Sequence, residues 1–476
     1  MEKYETVIGL EVHVQLLTET KVFCGCSTKF GLLPNSSTCP VCLGLPGSLP
    51  VLNEKAFIYA IKTALALNCT IQDTIKFDRK NYYYPDLPKN FQISQYDKPL
   101  AYNGFLEIGK GDQKKKIGIT RAHMEEDAGK LIHEPEKGFS LVDLNRAGTP
   151  LLEIVSEPDI RSPEDAVLYL QNLKAILKYL KVSDCNMEEG SLRCDANVSL
   201  RRVGEKKLGV KTELKNMNSF KAVRDALFYE VNRQSEALDN NEVIRQETRL
   251  WDENQKRTLV MRTKEESHDY RYFPEPDLVP FTVDKKEIAE IRRLLPELPQ
   301  AKKERLIKEY SLNENDADIL TREVETCEFF EKTASLVKDP KDAANWITGD
   351  IASYLKNTGQ AINRSKLTYV YLADIINLIY SGEITGKIAK EILREVFTRG
   401  LAPKALVDKL DLRQMTDDGA LEAAIDKVLA ENSKSVNDYK SGKKNAITYL
   451  IGQIMKETKG KANPQKVNEA IKRKLD

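Results

Sequence analysis

Polar residues spaced two apart mark where chemistry could occur in this chain. Alternate side chains of a β-strand face the same side. The run from Val7 to Leu16 therefore sets Glu11, His13 and Gln15 on one face and Leu10, Val12, Val14 and Leu16 on the other. From Leu192 to Leu200 the same alternation turns Arg193, Asp195, Asn197 and Ser199 outward and the even positions inward. Lys211, Glu213 and Lys215 oppose Val210, Thr212 and Leu214, while Arg121, His123 and Glu125 share a face beside Glu126 and Asp127. Glu153 and Glu157 occupy a further face. Solvated strand faces favour Thr and Lys, whereas these repeat acids, His, Asn and Arg, so they predict a concave polar site. Carboxylates and an imidazole on rigid strands can hold a hard divalent cation such as Mg²⁺, which bridges nucleotide phosphates. Lys or Arg then offsets the charge that builds during phosphoryl transfer.

A second constellation consists of thiols. Among eight cysteines, Cys24-Gly-Cys26 and Cys39-Pro-Val-Cys42 form a C-x-C…C-x-x-C set, and thiolates this close in sequence can converge on one tetrahedral zinc. Cys69, Cys185, Cys194 and Cys327 stand alone and read as small buried hydrophobes. Other signatures are missing. Gly382-Glu-Ile-Thr-Gly-Lys387 is one residue short of a phosphate-binding loop and falls in a helical region. No Gly-x-Ser-x-Gly elbow occurs, and with four His in the chain a hydrolase triad finds little support.

Several elements must position these groups. A chain of 476 residues suggests two or three domains. The first ~290 residues read as short alternating strands with turns at Asn103-Gly104 and Gly109-Lys-Gly111. One helix interrupts them, opening at Ser162-Pro163-Glu164-Asp165 and presenting Leu170, Leu173, Leu177 and Leu180 to the core. Pro274, Pro276, Pro280, Pro296 and Pro299 suggest an irregular connector and a boundary near Pro296, beyond which helices dominate. In the tail, Ile447, Leu450, Ile451, Ile454 and Met455 make one stripe, and Asn463-Pro464 starts another helix with Val467, Ala470, Ile471 and Leu475. The expected class is α+β: a mostly antiparallel β part at 1–293, a helical part at 294–408 and a small helical module at 409–476.

Composition narrows the partners. With 41% hydrophobic and 30% charged residues and no long apolar stretch, the chain reads as soluble and without a membrane span. Glu2 and Glu5 do not suit a secretory signal, which points to the cytoplasm. The net charge of +1 gives no global attraction to nucleic acid. Residues 434–474, however, hold eleven Lys or Arg against Asp438, Glu457 and Glu469, so any such contact is local to the tail.

Taken together, Val7-Ile-Gly-Leu-Glu-Val-His13, Arg79-Lys-Asn-Tyr-Tyr-Tyr-Pro-Asp86, Gln92-Ile-Ser-Gln95 and His123-Met-Glu-Glu-Asp-Ala-Gly129 resemble the GatB family of aspartyl/glutamyl-tRNA amidotransferase subunits. So do Asp143-Leu-Asn-Arg-Ala-Gly-Thr-Pro150, Glu153-Ile-Val-Ser-Glu-Pro-Asp159, Met187-Glu-Glu-Gly-Ser-Leu-Arg-Cys-Asp-Ala-Asn197, Glu213-Leu-Lys-Asn216 and Asp269-Tyr-Arg-Tyr-Phe-Pro-Glu-Pro-Asp277. The resemblance spans essentially the whole chain, and Gly452-Gln-Ile-Met-Lys456 and Ala462-Asn-Pro-Gln465 are similar to that family's helical tail.

The resemblance implies a cradle-shaped β domain, a helical linker domain and a tail domain, working in a heterotrimer whose other members are an amidase (glutaminase) and a small third subunit. The chain would bind the acceptor end of a misacylated tRNA and use ATP to phosphorylate the misattached side-chain carboxylate. Ammonia released by the amidase would then displace phosphate, so a hydrolase triad is not needed here. By the same resemblance Glu11, His13, Glu126, Glu153 and Glu213 are expected to bind Mg²⁺, with Glu125 a close second choice, and Lys80 to contact phosphate. Arg193, Asp195 and Asn197 are expected to line the same cavity. Cys24, Cys26, Cys39 and Cys42 place the chain with family members that retain a zinc site, structural because four thiolates leave no open position.

Overall fold

A computed structural model describes residues 3–109, 111–134, 138–263, 270–413, 418–458 and 460–475. Glu2, Lys110, Asp269 and Lys459, which figure in the sequence reading, lie outside these residues. The architecture is α+β, as expected, with the strands gathered in the amino-terminal part and helices after it. The chain divides into two compact units, Met1–Pro299 and Gln300–Asp476.

One large sheet dominates the first unit. Its strands are β1 (Tyr4–Gln15), β2 (Thr70–Ile71), β3 (Ala101–Ile108), β4 (Lys115–Glu126) and β5 (Pro150–Ser156). They continue with β6 (Leu192–Arg202), β7 (Thr212–Lys215), β8 (Glu247–Asp252) and β9 (Arg257–Thr263). The nine lie in the order β9-β8-β7-β6-β1-β5-β4-β3-β2. Every pairing is antiparallel except β7 with β8. The long β1 and β6 pair from Tyr4–Arg202 to Val14–Leu192, and β5 lies on the other side of β1, so the chemistry-bearing strands are neighbours at the sheet's centre.

The strand alternation is realised. Leu10, Val12 and Val14 of β1 and Leu192, Cys194 and Ala196 of β6 enter one apolar core, leaving the intervening polar residues on the opposite face. The helix opening at Ser162 is present as Pro163–Tyr179, with the Ser162 hydroxyl accepting from the Asp165 N–H. Its Leu170, Leu173 and Leu177 are fully buried in that core.

Two further long helices were not anticipated. Glu54–Ala66 is capped by the Asn53 side chain and Phe220–Asp239 by that of Ser219. Both build much of their inward stripe from alanine: Ala56, Ala60 and Ala64 in one, Ala222, Ala226 and Ala237 in the other. Alanine is a weak marker of amphipathicity, yet it lets a helix approach closely.

Asn103-Gly104 is likewise not a turn. It lies inside β3, where Asn103 takes a positive φ of 52° while the register with β4 runs on unchanged from Tyr102–Arg121 to Gly104–Ile119. A Cβ on Gly104 would stand 2.7 Å from the Leu67 carbonyl oxygen and closer still to the Cys69 sulfur, so glycine is required there. The proline-rich stretch also departs from an irregular connector. Phe273–Pro274 pairs with Asp78–Asn81, Phe281–Thr282 pairs with Thr74–Ile75, and the helix Lys285–Arg293 packs on the helix Glu54–Ala66. Proline is tolerated because these are two-residue edge pairings that need few N–H donors.

The second unit is helical, with one apolar cluster spanning Leu306–Val407 and another spanning Leu421–Ile471. The tail stripes appear in the helices Ala446–Glu457, which buries Leu450 and Ile454, and Pro464–Leu475, which buries Val467 and Ile471. The Gly382–Lys387 segment is a helix-capping turn: the Thr385 hydroxyl accepts from Ile388 N–H and donates to the Gly460 carbonyl. Among the described residues no helix is long and apolar enough to cross a membrane.

Leu173 is fully buried where its helix meets the sheet, so Leu173→Ala leaves a cavity and is expected to cost about 3 kcal/mol. Urea unfolding followed by tryptophan fluorescence of a Trp346→Phe background, which leaves Trp251 of β8 as the reporter, checks this; a loss below about 1 kcal/mol would mean that the helix is not seated as described.

Candidate active site

Register in the central strands brings distant residues into rows. Arg193 pairs with His13, His13 with Glu153 and Glu153 with His123, across β6, β1, β5 and β4. One step along, Asp195 pairs with Glu11. One step the other way, Gln15 and Glu125 both face Leu151. Directly opposed residues sit about 4.5–5.5 Å apart, so these rows form one polar patch.

The tightest part holds two acids and two imidazoles. His13 Nε2 lies 3.4 Å from Glu153 Oε2 and 3.6 Å from Glu125 Oε1, while His123 Nε2 lies 3.2 Å from the same Glu153 oxygen. Glu125 and Glu153 are 3% and 8% exposed. Burial disfavours the His13 imidazolium, but the Glu153 and Glu125 carboxylates outweigh it and raise its pKa. Burial likewise works against the Glu153 carboxylate, which His123 and His13 nevertheless hold well below the usual range. One ligand atom from each of His13, Glu125 and Glu153 lies within 4.8 Å of the other two. Two carboxylates and an imidazole suit a divalent cation; the carboxylates are the natural ligands for Mg²⁺ or Mn²⁺, and His13 departs from an all-oxygen set.

Glu11 anchors the adjoining half. Asn197 Nδ2 donates to Glu11 Oε1 over 2.8 Å, and the buried Asn197 Oδ1 has no hydrogen-bond partner among the described residues. This acceptor faces the same patch as Glu11, a further oxygen suited to a cation. Glu213 pairs in register with Asn197, accepts from the Thr248 hydroxyl at 2.8 Å and meets Lys215 Nζ at 3.2 Å. Lys215 also pairs with Asp195. Spacing alone could not assign Lys215 this bridging place, since its acids lie on different strands.

Arg193 turns to Asp127 at 2.9 Å, which Gln15 also reaches at 2.9 Å and Arg146 at 3.4 Å. Burial disfavours the Asp127 carboxylate, and the two guanidiniums hold it ionised. Gln15, Arg146, Arg193 and Asp195 line a cavity of about 790 Å³ that continues along Met187–Gly190 and Asn216–Asn218. Arg193 and Asp195 thus line a cavity beside the acid–imidazole cluster.

A small sheet brings Lys80 in from the side. The strand Asp78–Asn81 pairs with Phe91–Ser94, which packs on β4 and sets the Ser94 hydroxyl 3.4 Å from Glu125. Lys80 lies 5.0 Å from the Tyr270 ring centre and 5.7 Å from that of Tyr82. Burial works against its ammonium, but Glu125 and Glu153 raise its pKa, so it stays charged.

Glu126 does not join the cluster. Adjacent strand residues face opposite sides, and Glu126 shares the inner side with Met124 and Ala122. It pairs there with Lys89 and accepts from the Ile93 N–H at 2.9 Å. Glu125 holds the place expected for Glu126. Glu157 also stands apart: the register shifts after Val155, and its carboxylate takes the Thr120 hydroxyl at 2.8 Å. Ser199, expected outward, is buried.

The four cysteines do converge. One sulfur from each of Cys24, Cys26, Cys39 and Cys42 lies within 4.8 Å of the others; sulfurs around a tetrahedral zinc stand about 3.8 Å apart, so the set fits that ion with little movement. The Cys42 thiol is held below its ordinary pKa. The Cys24 thiol hydrogen-bonded to it pulls its pKa down despite burial, and the Cys39 N–H and Lys21 add to this.

Fold and face together define an α+β protein with a candidate divalent-cation site on an open sheet and a separate four-thiol knuckle. The family models of the GatB/GatE catalytic domain and the GatB domain match residues 6–289 and 328–475. The chain belongs to the GatB family of aspartyl/glutamyl-tRNA amidotransferase subunits. Relatives named as this same component of aspartyl/glutamyl-tRNA(Asn/Gln) amidotransferase include that of Carboxydothermus hydrogenoformans, 56% identical over 100% of this chain and 99% of its own length. Those of Caldanaerobacter subterraneus (56% identical, 99% of both chains) and Brevibacillus brevis (51% identical, 100% of both chains) are similar over the same extent.

Mn²⁺ titration followed by electron paramagnetic resonance tests the ligand set. Glu153→Gln and Glu125→Gln are each expected to weaken binding by about tenfold or more, and Glu126→Gln by less than about threefold. A large loss in Glu126→Gln with none in Glu125→Gln would reverse the assignment.

Proposed function

We propose that this chain is the tRNA-binding, ATP-using subunit of an amidotransferase that converts Glu-tRNA(Gln), Asp-tRNA(Asn) or both into Gln-tRNA(Gln) and Asn-tRNA(Asn). Family membership supports the class of reaction, as does the name that the relatives carry. The observation that carries the mechanism is the convergence of Glu11, His13, Glu125, Glu153 and Glu213 on one sheet face beside Lys80.

A carboxylate oxygen is a poor leaving group, whereas phosphate on an acyl carbon leaves readily. One oxygen of the misattached side chain attacks the γ-phosphorus of ATP, and ADP departs with the bridging electron pair. Ammonia then attacks the acyl carbon, phosphate leaves and the amide forms with loss of a proton. Glu125, Glu153, His13 and Glu11 would hold Mg²⁺, which when bound neutralises phosphate charge. Lys80 stays charged beside them and adds positive potential where phosphoryl charge accumulates. Arg193 and Arg146, locked on Asp127, shape the adjoining cavity for a polar substrate. Zinc in the knuckle would be structural, since four thiolates complete its coordination.

Ammonia would come from an amidase (glutaminase) partner, with a small third subunit completing the cytoplasmic heterotrimer. The tail would touch tRNA through exposed lysines such as Lys434, Lys440, Lys444, Lys456 and Lys472. Arg473 and Lys474 contribute less, because Glu422 and Asp426 of the helix Asp418–Glu431 neutralise them.

In the copurified complex, Glu11→Ala is expected to cut ATP hydrolysis stimulated by misacylated tRNA about a hundredfold while glutaminase activity survives. Unaltered ATP turnover would reduce the chain to a scaffold. Deleting 409–476 within the complex is expected to lower tRNA affinity about tenfold at moderate salt; unchanged affinity would assign the tail to packing.

A further inference from the structure

We infer that Lys21 is the buried counterion of the four-thiol knuckle, binding its sulfur charge to the sheet and slowing loss of the metal. The inference rests on the zinc reading above and concerns a residue outside the cysteine motif. Lys21 is 1% exposed, among the largest fully buried side chains of the described residues. Its ammonium donates to the Ser37 carbonyl at 2.7 Å, the Leu144 carbonyl at 3.4 Å and Cys42 Sγ at 3.6 Å. Three donors thus meet three acceptors.

A buried ammonium needs a compensating negative charge. Among the described residues no carboxylate forms an ion pair with Lys21, and Glu126, which lines a separate small cavity together with Lys21 and Cys42, is paired with Lys89. The thiolates are the remaining source. Four thiolates around Zn²⁺ carry a net charge of about −2, and one ammonium in contact halves it. The Lys21 backbone also belongs to the knuckle, since its N–H donates to the Cys26 carbonyl at 2.9 Å. Val22 N–H donates to the Gly148 carbonyl at 2.9 Å, so Lys21 and Val22 together fasten the knuckle to the Leu144–Gly148 turn. That turn carries Arg146, one of the two guanidiniums on Asp127.

The test compares zinc content, the rate of zinc transfer to a colorimetric chelator and the sulfur-to-metal charge-transfer band of the Co²⁺-substituted chain for wild type, Lys21→Met and Lys21→Arg. Removing a cation from sulfur raises the energy of its lone pairs, so Lys21→Met is expected to move the band to longer wavelength and to speed zinc release by about tenfold or more. Lys21→Arg is expected to keep the band and stay within about threefold of wild type. Lys21→Gln, which keeps donors and loses the charge, carries the same comparison if methionine prevents folding. Release within about twofold of wild type with an unmoved band in the uncharged variants overturns the assignment of Lys21. Absence of zinc from the wild type overturns the metal reading itself and this inference with it.

Discussion

Glu125 and Glu153 are buried together on one sheet face, and two carboxylates at close range cannot both stay ionised there without positive charge. The rest of the site follows from this constraint. His13 and His123 flank Glu153 from the strands on either side of β5, and the small sheet Asp78–Asn81/Phe91–Ser94 swings Lys80 toward the same acids. The helices behind the sheet contribute indirectly, since their leucines and alanines fill the other face and hold the strands in register. A site assembled this way is electrostatically primed: removing one cationic partner leaves a buried carboxylate short of compensation.

Much of this was legible in the sequence because a strand's period of two is easy to read. Glu11 with His13, and Arg193 with Asp195 and Asn197, follow from alternation alone, and the Cys24, Cys26, Cys39 and Cys42 spacing anticipates one cluster. Which strands lie side by side was not legible, because it depends on long-range pairing across more than a hundred residues, as between His13 and Glu153. The exchange of Glu125 for Glu126 has a simpler origin. Alternation already sets Glu125 on the face of Arg121 and His123, whereas Glu126 came from the resemblance alone, and the burial of Met124 and Ala122 decides for Glu125. The helices Glu54–Ala66 and Phe220–Asp239 were legible in part, through Phe57, Ile61 and Leu65 in one and Val223 and Leu227 in the other, and the alanines that fill the rest of each stripe mark it weakly.

The thiol knuckle and the polar face belong to one construction. The Leu144–Gly148 turn meets Lys21 and Val22 on one side and Asp127 on the other, where the Gly148 N–H donates to the Asp127 carbonyl at 2.9 Å. Asp127 in turn orients Arg193 beside His13. A short path of hydrogen bonds therefore links the four-thiol loop to the guanidiniums around the cavity.

The back-to-back acids of β4 also bear on how this strand can change over generations. Glu125 serves the open face and Glu126 the inner one, so adding or losing a single residue in β4 would exchange them and expel Met124 from the core. Point replacements sample one position at a time, but a change of length shifts a whole reading frame of side chains. The strand therefore admits drift in composition while resisting insertions and deletions. The register shift that β4 carries against β5, between Val155 and Ser156, lies beyond Arg121 and so displaces neither acid.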